Sequence, residues 1–596
     1  MEGVAENQRW YMGIDLGSVG ISAALLDRET NQQYPIFWQG TAPDGTPITV
    51  LRSPTIVYLS AEQLNGIPET PMAVGELALK VRSAMADHPS SGLLLSNLRH
   101  LLTVAVPYIA PQKQTWEPVV QWSDTQSISL AWVKQSVTAL LSTLKPDPLT
   151  VSAQGLSSDE LQTALSRLAG VILGCSTGWS DAYRFNLREA VLSAGLVTKP
   201  EQIFFIEDAI AALLSELPGG SDPISASKPV APASPIQKPQ SVFQGSTFIL
   251  SAGALFTELL LVDLPPDPHT LSRENLCLRS TAYGGNAVDQ DIICQLLYPS
   301  VWGWRNLGSP NLDLPLPGEP DLAARYRFQQ RLRSNDLGQN LLRIAKQIKL
   351  AFQREESVTF TLHERQWTMT QQDFHSRVMA PYIQLINREI NTLLTQTGIG
   401  VQAVRQILCT GGTASNVAIA HWLKQKFPNA ALGQDPSNSM AFSSRTAFGL
   451  AKLPLYPQLL EAARHQYSDY FLLRELLQTL PNEPLPLRHI LQLLEAQGIN
   501  TQACQQAIFN LVEGQLPIGL VPSKADRALL TPESRQNPEY QVLAASPIFL
   551  RESNQVYRLN PDLRDYLWQY LSAILDGTHQ TLEEPLPLDL GVQVAI

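Results

Sequence analysis

"MGIDLGSVGISAALLD" fills residues 12–27. Two apolar runs flank Gly17-Ser18-Val19-Gly20, the pattern of a strand, a tight turn and a returning strand. The strand carries Asp15 to the turn, Gly17 lets the backbone bend closely, and Ser18 offers a hydroxyl. Backbone N–H groups of such a turn cradle phosphate oxygens, and a carboxylate beside them holds a hydrated Mg²⁺. Taken alone the motif is also an ordinary hairpin, because short glycine patterns recur widely. A second stretch of the same shape, "FILSAGALFTELLLVDL" (248–264), bends at Ser251-Ala252-Gly253-Ala254-Leu255. The first turn has acid, glycine and hydroxyl where a phosphate cradle needs them, whereas the second has no acid and keeps one glycine, Gly253.

The rest of the chain sets bounds on what this pair can mean. At 596 residues it is too long for one core, so several domains are expected. A net charge of −11 argues against a general nucleic-acid binder or a partner of anionic membranes. Cysteines 175, 277, 294, 409 and 504 are scattered, odd in number and without a CxxC pair. They read as buried thiols of a reducing compartment. The polar start "MEGVAENQRW" lacks a signal-peptide core, and no apolar run reaches the roughly 18 residues of a membrane span. The expectation is a cytoplasmic protein with no membrane partner.

Strands alternate with helices over most of the chain, which implies an α/β fold. "GVILG" and "IFFIE" (203–207) read as strands, with helices near 180–195 and at "DAIAALLSEL". Residues 218–242, "PGGSDPISASKPVAPASPIQKPQSV", are too rich in Pro, Ser and Ala for a packed core and read as a flexible insert. A helical period runs through 320–355, and a strand pair and second long helix follow. "AVRQILCTGGTASNVAIAHWLKQKF" (403–427) is a strand leading through Gly411-Gly412 into a helix that Thr413 or Ser415 is placed to cap. From 455 the chain is Leu-rich and helical. There "LPLRHILQLLEAQG", "TQACQQAIFNLVEG", a β-like "LPIGLVPS" and "NQVYRLN" have the order of a winged-helix unit. This tail holds nine Lys and Arg against sixteen Asp and Glu, the wrong balance for reading DNA. It is expected to bind protein partners, with nucleic acid disfavoured.

The order of motifs resembles the 70-kDa heat-shock (DnaK-type) chaperones, within the actin-like ATPase superfamily, over residues 9–454. "GIDLGSVG" is similar to their first phosphate loop. "LRSPTIVYLS" with "MAVGELALK" is similar to their PS-x-V strand and GxxA segment. "GVILGCSTGWSDAYRFNLREAVLSAGL" with "IFFIEDAIAALLS" resembles the segment ending in Asn-Glu-Pro. "STAYGGNAVDQDIICQLL" is similar to the GGxDFD helix start, "ILCTGGTAS" to the adenosine loop, and "SSRTAFGLA" to the closing helix. The resemblance implies two lobes of a ribonuclease-H-like, actin-like ATPase fold at 9–217 and 243–454, with a mainly helical domain at 455–596. It also implies ATP and Mg²⁺ as ligands. Asp15 would serve as metal ligand and, with Asp208, as catalytic acid. Gly17, Ser18, Val19, Gly20, Lys349, Gly411, Gly412, Thr413, Ala414 and Ser415 would bind nucleotide.

Departures from the family fall on its working residues. The second loop, Asp-Leu-Gly-Gly-Gly-Thr in the family, is Ser251 to Phe256 here. Asn-Glu-Pro becomes Glu207-Asp208-Ala209, one methylene shorter at the acid. The lysine after GxxA becomes Leu79, with Lys80 one place late, and the arginine of the adenosine loop becomes Ser415. On the adenosine helix only the first lysine of a pair survives, as Lys349. Phosphoryl transfer is mostly positioning and charge stabilisation, so these losses imply weak or absent hydrolysis. Binding can persist on backbone donors. The readings are therefore a chaperone-like ATP-binding protein, a nucleotide-independent scaffold, or an actin-fold small-molecule kinase. The kinase needs an acid where Ser251 stands. His88, His100 and His421 read as surface or packed polar residues, and Cys175 with Ser176 as a strand end without a histidine partner.

Overall fold

Strand β1 (Trp10–Leu16) turns back into β2 (Gly20–Asp27), which turns again into β3 (Gln32–Thr41). Parallel to β1 lie β4 (Leu168–Cys175) and, beyond it, β5 (Ile203–Glu207). The order is β3-β2-β1-β4-β5, with Val151–Ala153 outside β3. These strands read as near-continuous apolar runs because both faces are covered. Met12, Ile14, Ile21, Ala23 and Leu25 point into one core, whereas Tyr11, Ala24 and Leu26 point into another. Three helices matter to the site: α1 (Leu98–Leu101), α2 (Asp181–Ala194) and α3 (Asp208–Glu216).

A second sheet repeats the first. Its strands are β6 (Gly245–Ala252), β7 (Thr257–Leu264), β8 (Cys277–Thr281), β9 (Gln406–Thr410) and β10 (Ala431–Gln434). Their order, β8-β7-β6-β9-β10, and their directions match those of β3-β2-β1-β4-β5. Helices α4 (Gly285–Ile292), α5 (Leu322–Arg333), α6 (Asp336–Ala351) and α7 (Val417–Lys426) share the core of this sheet with Ala380–Thr397, and α8 (Arg445–Lys452) lies on β1 of the first. The fold is mixed α/β, as the alternation implied. The computed structural model describes residues 9–41, 46–64, 72–84, 92–103, 106–110, 115–145, 150–219, 245–297, 314–362, 365–434, 444–461, 467–517, 520, 531–580 and 590. Most of the 218–242 insert therefore lies outside the described residues.

The two sheets are joined by a layer of small and aliphatic residues from α3 and α8. Two glycines make this layer thin. A Cβ on Gly13 would stand 2.3 Å from Ala451 N, and one on Gly449 only 1.6 Å from Ala211 O. Helix α8 thus presses backbone to backbone on β1 and on α3.

The tail is built on α9 (Asp469–Thr479), α10 (Leu487–Ala496), α11 (Thr501–Val512) and α12 (Pro561–Leu575). A small sheet in the order Leu485–Pro486, Val556–Leu559, Phe549–Ser553 completes it. A hairpin is formed by 549–559, which holds most of "NQVYRLN", and most of "LPIGLVPS" lies outside the described residues. The tail is not separate from what precedes it. Ala182 and Phe185 of α2 belong to its core, and Phe185 meets Tyr470 at 5.0 Å between ring centroids. Among the described residues no helix is long and apolar enough to cross a membrane.

Candidate functional site

The two hairpin turns are closed by the same hydrogen bond. Gly17 N–H donates to Gly20 O (3.1 Å), and Gly253 N–H donates to Phe256 O (3.0 Å). The side chains around them differ. At the first turn Asp15 Oδ2 accepts from Ser444 Oγ (2.7 Å), the residue that caps α8. Ser18 is half-buried and Val19 projects, 71% exposed. Arg52 lies across the turn, so that a Cβ on Gly17 would stand 2.5 Å from its Nη2 and one on Gly20 2.7 Å from its Nε. That Nε is buried without a hydrogen-bond partner among the described residues. Arg52 thus sets a cation beside the glycine turn, an addition that sequence reading missed.

At the second turn the space is filled. Leu255 and Phe256 pack against the core of the first sheet, and Phe256 meets Trp179 edge-on at 5.5 Å. Across the hairpin, Ser251 pairs with Glu258 as Asp15 pairs with Ser22. The carboxylate has in effect moved to the returning strand. Glu258 is buried and reaches the first half, accepting from Thr177 N–H (2.7 Å) and Ala209 N–H (3.1 Å) at the start of α3. Burial, and then the charge of Asp208, push its carboxyl up to about 8. The odd acid inside the buried run "FTELLLVD" was the signal for this residue.

Asp208 begins α3. Its Oδ2 lies 3.5 Å from Arg99 Nη1, and Oδ1 is buried with no hydrogen-bond partner among the described residues. A side chain on Gly174 would collide with that oxygen, which explains the glycine there. Burial raises the Asp208 carboxyl to about 6, against the pull of Arg99. Arg99 also donates to Gly174 O (3.1 Å) and stacks over Trp179 at 4.4 Å. The charge of Asp15 acts on both Arg99 and Asp208, so the two proposed acids share one neighbourhood. Neighbouring Glu207 is held by Arg273 in a bidentate pair. Lys80 and Leu79 are exposed on the helix Gly75–Ala84, and Arg99 supplies the cation beside the acids instead.

The remaining candidates form a second cluster. Thr413 Oγ1 donates to Gly253 O (2.7 Å) and Thr413 N–H to Ala252 O (3.0 Å). Lys349 pairs with Asp289 at 2.6 Å and donates to Gly285 O. A Cβ on Gly285 would stand 2.8 Å from Thr413 Oγ1 and 3.3 Å from Lys349 Nζ, so these groups meet at one point. Gly411 adopts φ +91° where a side chain would strike Ala252 O, and Gly412 faces open space. Ala414 is buried in the second core. Ser415 Oγ donates to Gly412 O, and neither it nor Thr413 caps α7: Asn416 does, accepting from Ala418 N–H. The amide of Asn416 reaches the helix N–H groups that Thr413, turned toward Gly253, does not. Among the described residues no group of three or more His, Cys, Asp and Glu is placed to hold a metal ion.

The filled turn has a measurable consequence. Replacing Phe256 with Ala should lower stability by about 2 kcal/mol, less than for a fully buried ring because Phe256 is half-buried. Denaturant unfolding reads this directly, and a change below about 0.5 kcal/mol would show that the ring does not hold the halves together. No family model and no curated protein matches the chain.

Proposed function

We propose that this chain has the two-lobed actin-like fold and is a DnaK-type, chaperone-like protein. On this reading it binds ATP but hydrolyses it weakly or not at all, and acts through protein contacts. One observation carries the reading. Two hairpins of the same order and closure survive, but only the first has a carboxylate on its leading strand and a guanidinium beside its glycines. The Gly17–Gly20 turn, Arg52, Thr413 and Lys349 supply donors and positive charge for phosphates, and Asp15 would carry Mg²⁺, which neutralises phosphate charge when bound. Ser251 is no acid, and Leu255 and Phe256 occupy the space through which a water would approach the terminal phosphate. Protein contacts fall to the acidic tail, whose α11 has no charged residue. A nucleic-acid reader needs cations on that helix.

A second reading, a scaffold that needs no nucleotide, is favoured by the Phe256–Trp179 contact and by the Lys349–Asp289 pair, which occupy both sides of the second turn. Calorimetry and single-turnover hydrolysis separate the two. ATP should bind more tightly with Mg²⁺ than without, Asp15→Asn should weaken that dependence, and turnover should be negligible in both proteins. No binding at about millimolar ATP selects the scaffold. Brisk hydrolysis by the wild type overturns both readings and points to Asp208 as a working acid.

A further inference from the structure

Between α1 on one side and α4 and α5 on the other lies a cavity of about 40 Å³ floored by Ala254 and Leu255. The nucleotide reading uses Leu255 of its floor but none of its polar lining. It has room for about three water-sized groups, far below the several hundred Å³ of a nucleotide pocket. Its lining includes Asn97, His100, Arg325, Gln329 and Arg333, and no carboxylate. Arg325 is neutralised by Asp291 at 3.1 Å. The guanidinium of Arg333 is not. It sits 3.8 Å over the Trp122 ring and has no carboxylate partner among the described residues. The cavity is therefore electropositive beyond what its own acids balance.

Two further groups are left over for a ligand. His100 is 5% exposed, stacks on Tyr326 and lies in hydrogen-bond reach of the Asn97 backbone, and its Nδ1 is among the buried atoms left without a hydrogen-bond partner among the described residues. Burial, and then the Arg333 charge, keep the imidazole neutral, so it can donate a hydrogen bond from one nitrogen without adding charge. Asn97 adopts the left-handed conformation, φ 55° and ψ 43°, and its amide does not cap α1. Such a conformation costs a non-glycine residue on the order of 1 kcal/mol and clusters at sites that bind. Water alone would satisfy the polar atoms but would leave the half-buried Arg333 guanidinium without a counter-charge, which an anion supplies.

We propose that this cavity binds a small oxyanion of the size and charge of inorganic phosphate, held by Arg333, His100 and Asn97. The test is calorimetry of the full chain with inorganic phosphate against chloride at equal ionic strength. Wild type should bind one phosphate per chain, and R333Q should weaken that binding by about tenfold or more. N97G, which relieves the backbone strain and so folds at least as well, should weaken it by several-fold. R558Q should leave it unchanged, because Arg558 pairs with Glu552 in the tail sheet. Imidazole ¹⁵N signals of His100 should shift with phosphate in wild type and R558Q but not in R333Q. The proposal is overturned by no phosphate heat in wild type up to about 50 mM, by unaltered binding in N97G, or by a His100 signal that phosphate does not move.

Discussion

Replacing Gly449 with Ala should destabilise the protein by about 3 kcal/mol or more, although the same change in an exposed helix stabilises by about 1 kcal/mol. The sign is decided by what the new methyl group meets. Its Cβ would stand 1.6 Å from Ala211 O and 2.4 Å from Ala211 C, atoms of the α3 backbone that cannot rotate aside. The helices must separate, and α8 has nowhere to go, because its other face lies on Gly13 of β1 with a would-be Cβ 2.3 Å from Ala451 N. Separation opens the layer in which Tyr11 and Ile172 of the first sheet meet Ile249, Leu260 and Leu408 of the second. The predicted loss therefore falls on the joint between the sheets, and Tm should drop by roughly 3 °C. A Gly449→Ala protein as stable as wild type would show that α3 and α8 do not meet backbone to backbone.

What the sequence discloses follows from how far apart the determinants lie. Asp15 and its turn are local, so composition and alternation reveal the hairpin, and the likeness of 248–264 to 12–27 reveals its repeat. The break between α5 and α6 is local too, but the helical period of 320–355 hides it. Asn335 caps α6, and Gly338 lets it cross α5, since a Cβ there would lie 2.2 Å from Leu332 O. The Asn-Asp pair and the glycine carried that signal. The helix after Gly411-Gly412 is capped by Asn416 and not by Thr413 or Ser415, because Thr413 spends its hydroxyl on Gly253 and Ser415 on Gly412. Arg99 beside Asp208, Glu258 on Thr177 and Arg52 over Gly17 are different in kind. Each pairs residues that are distant in sequence and unremarkable in composition, and only the folded sheets bring them together.

The acids at the junction of the halves predict an unusual pH dependence. Glu258 is raised to about 8 from an ordinary value near 4.5, first by burial and then by Asp208, and Asp208 is raised to about 6. A carboxyl whose folded pKa lies above its unfolded value keeps its proton in the folded state after the unfolded chain has released it. The folded state then binds more protons, and stability falls as pH rises from about 4.5 toward 8. Asp469, raised to about 7 by burial and by Asp181, acts in the same direction. His100 acts oppositely, because its lowered pKa makes stability rise with pH from about 3 up to its ordinary 6.5. Above that value the carboxyls act without it, so the clean window is pH 6.5 to 8. There wild-type stability should fall by on the order of 1 kcal/mol per pH unit, and Glu258→Gln should flatten the slope. Asp208→Asn should flatten it as well, by withdrawing the charge that helps hold Glu258 protonated. Denaturant unfolding of the three proteins at pH 6.5, 7.25 and 8, values chosen to span about one carboxyl titration, measures the slopes. The competing force is visible in the same site. Thr177 and Ala209 each point an N–H at a different oxygen of Glu258, and two such donors favour the ionised form. If wild-type stability rises between pH 6.5 and 8, those donors outweigh burial, and Glu258 is a fixed negative clasp between the halves rather than a proton-holding one.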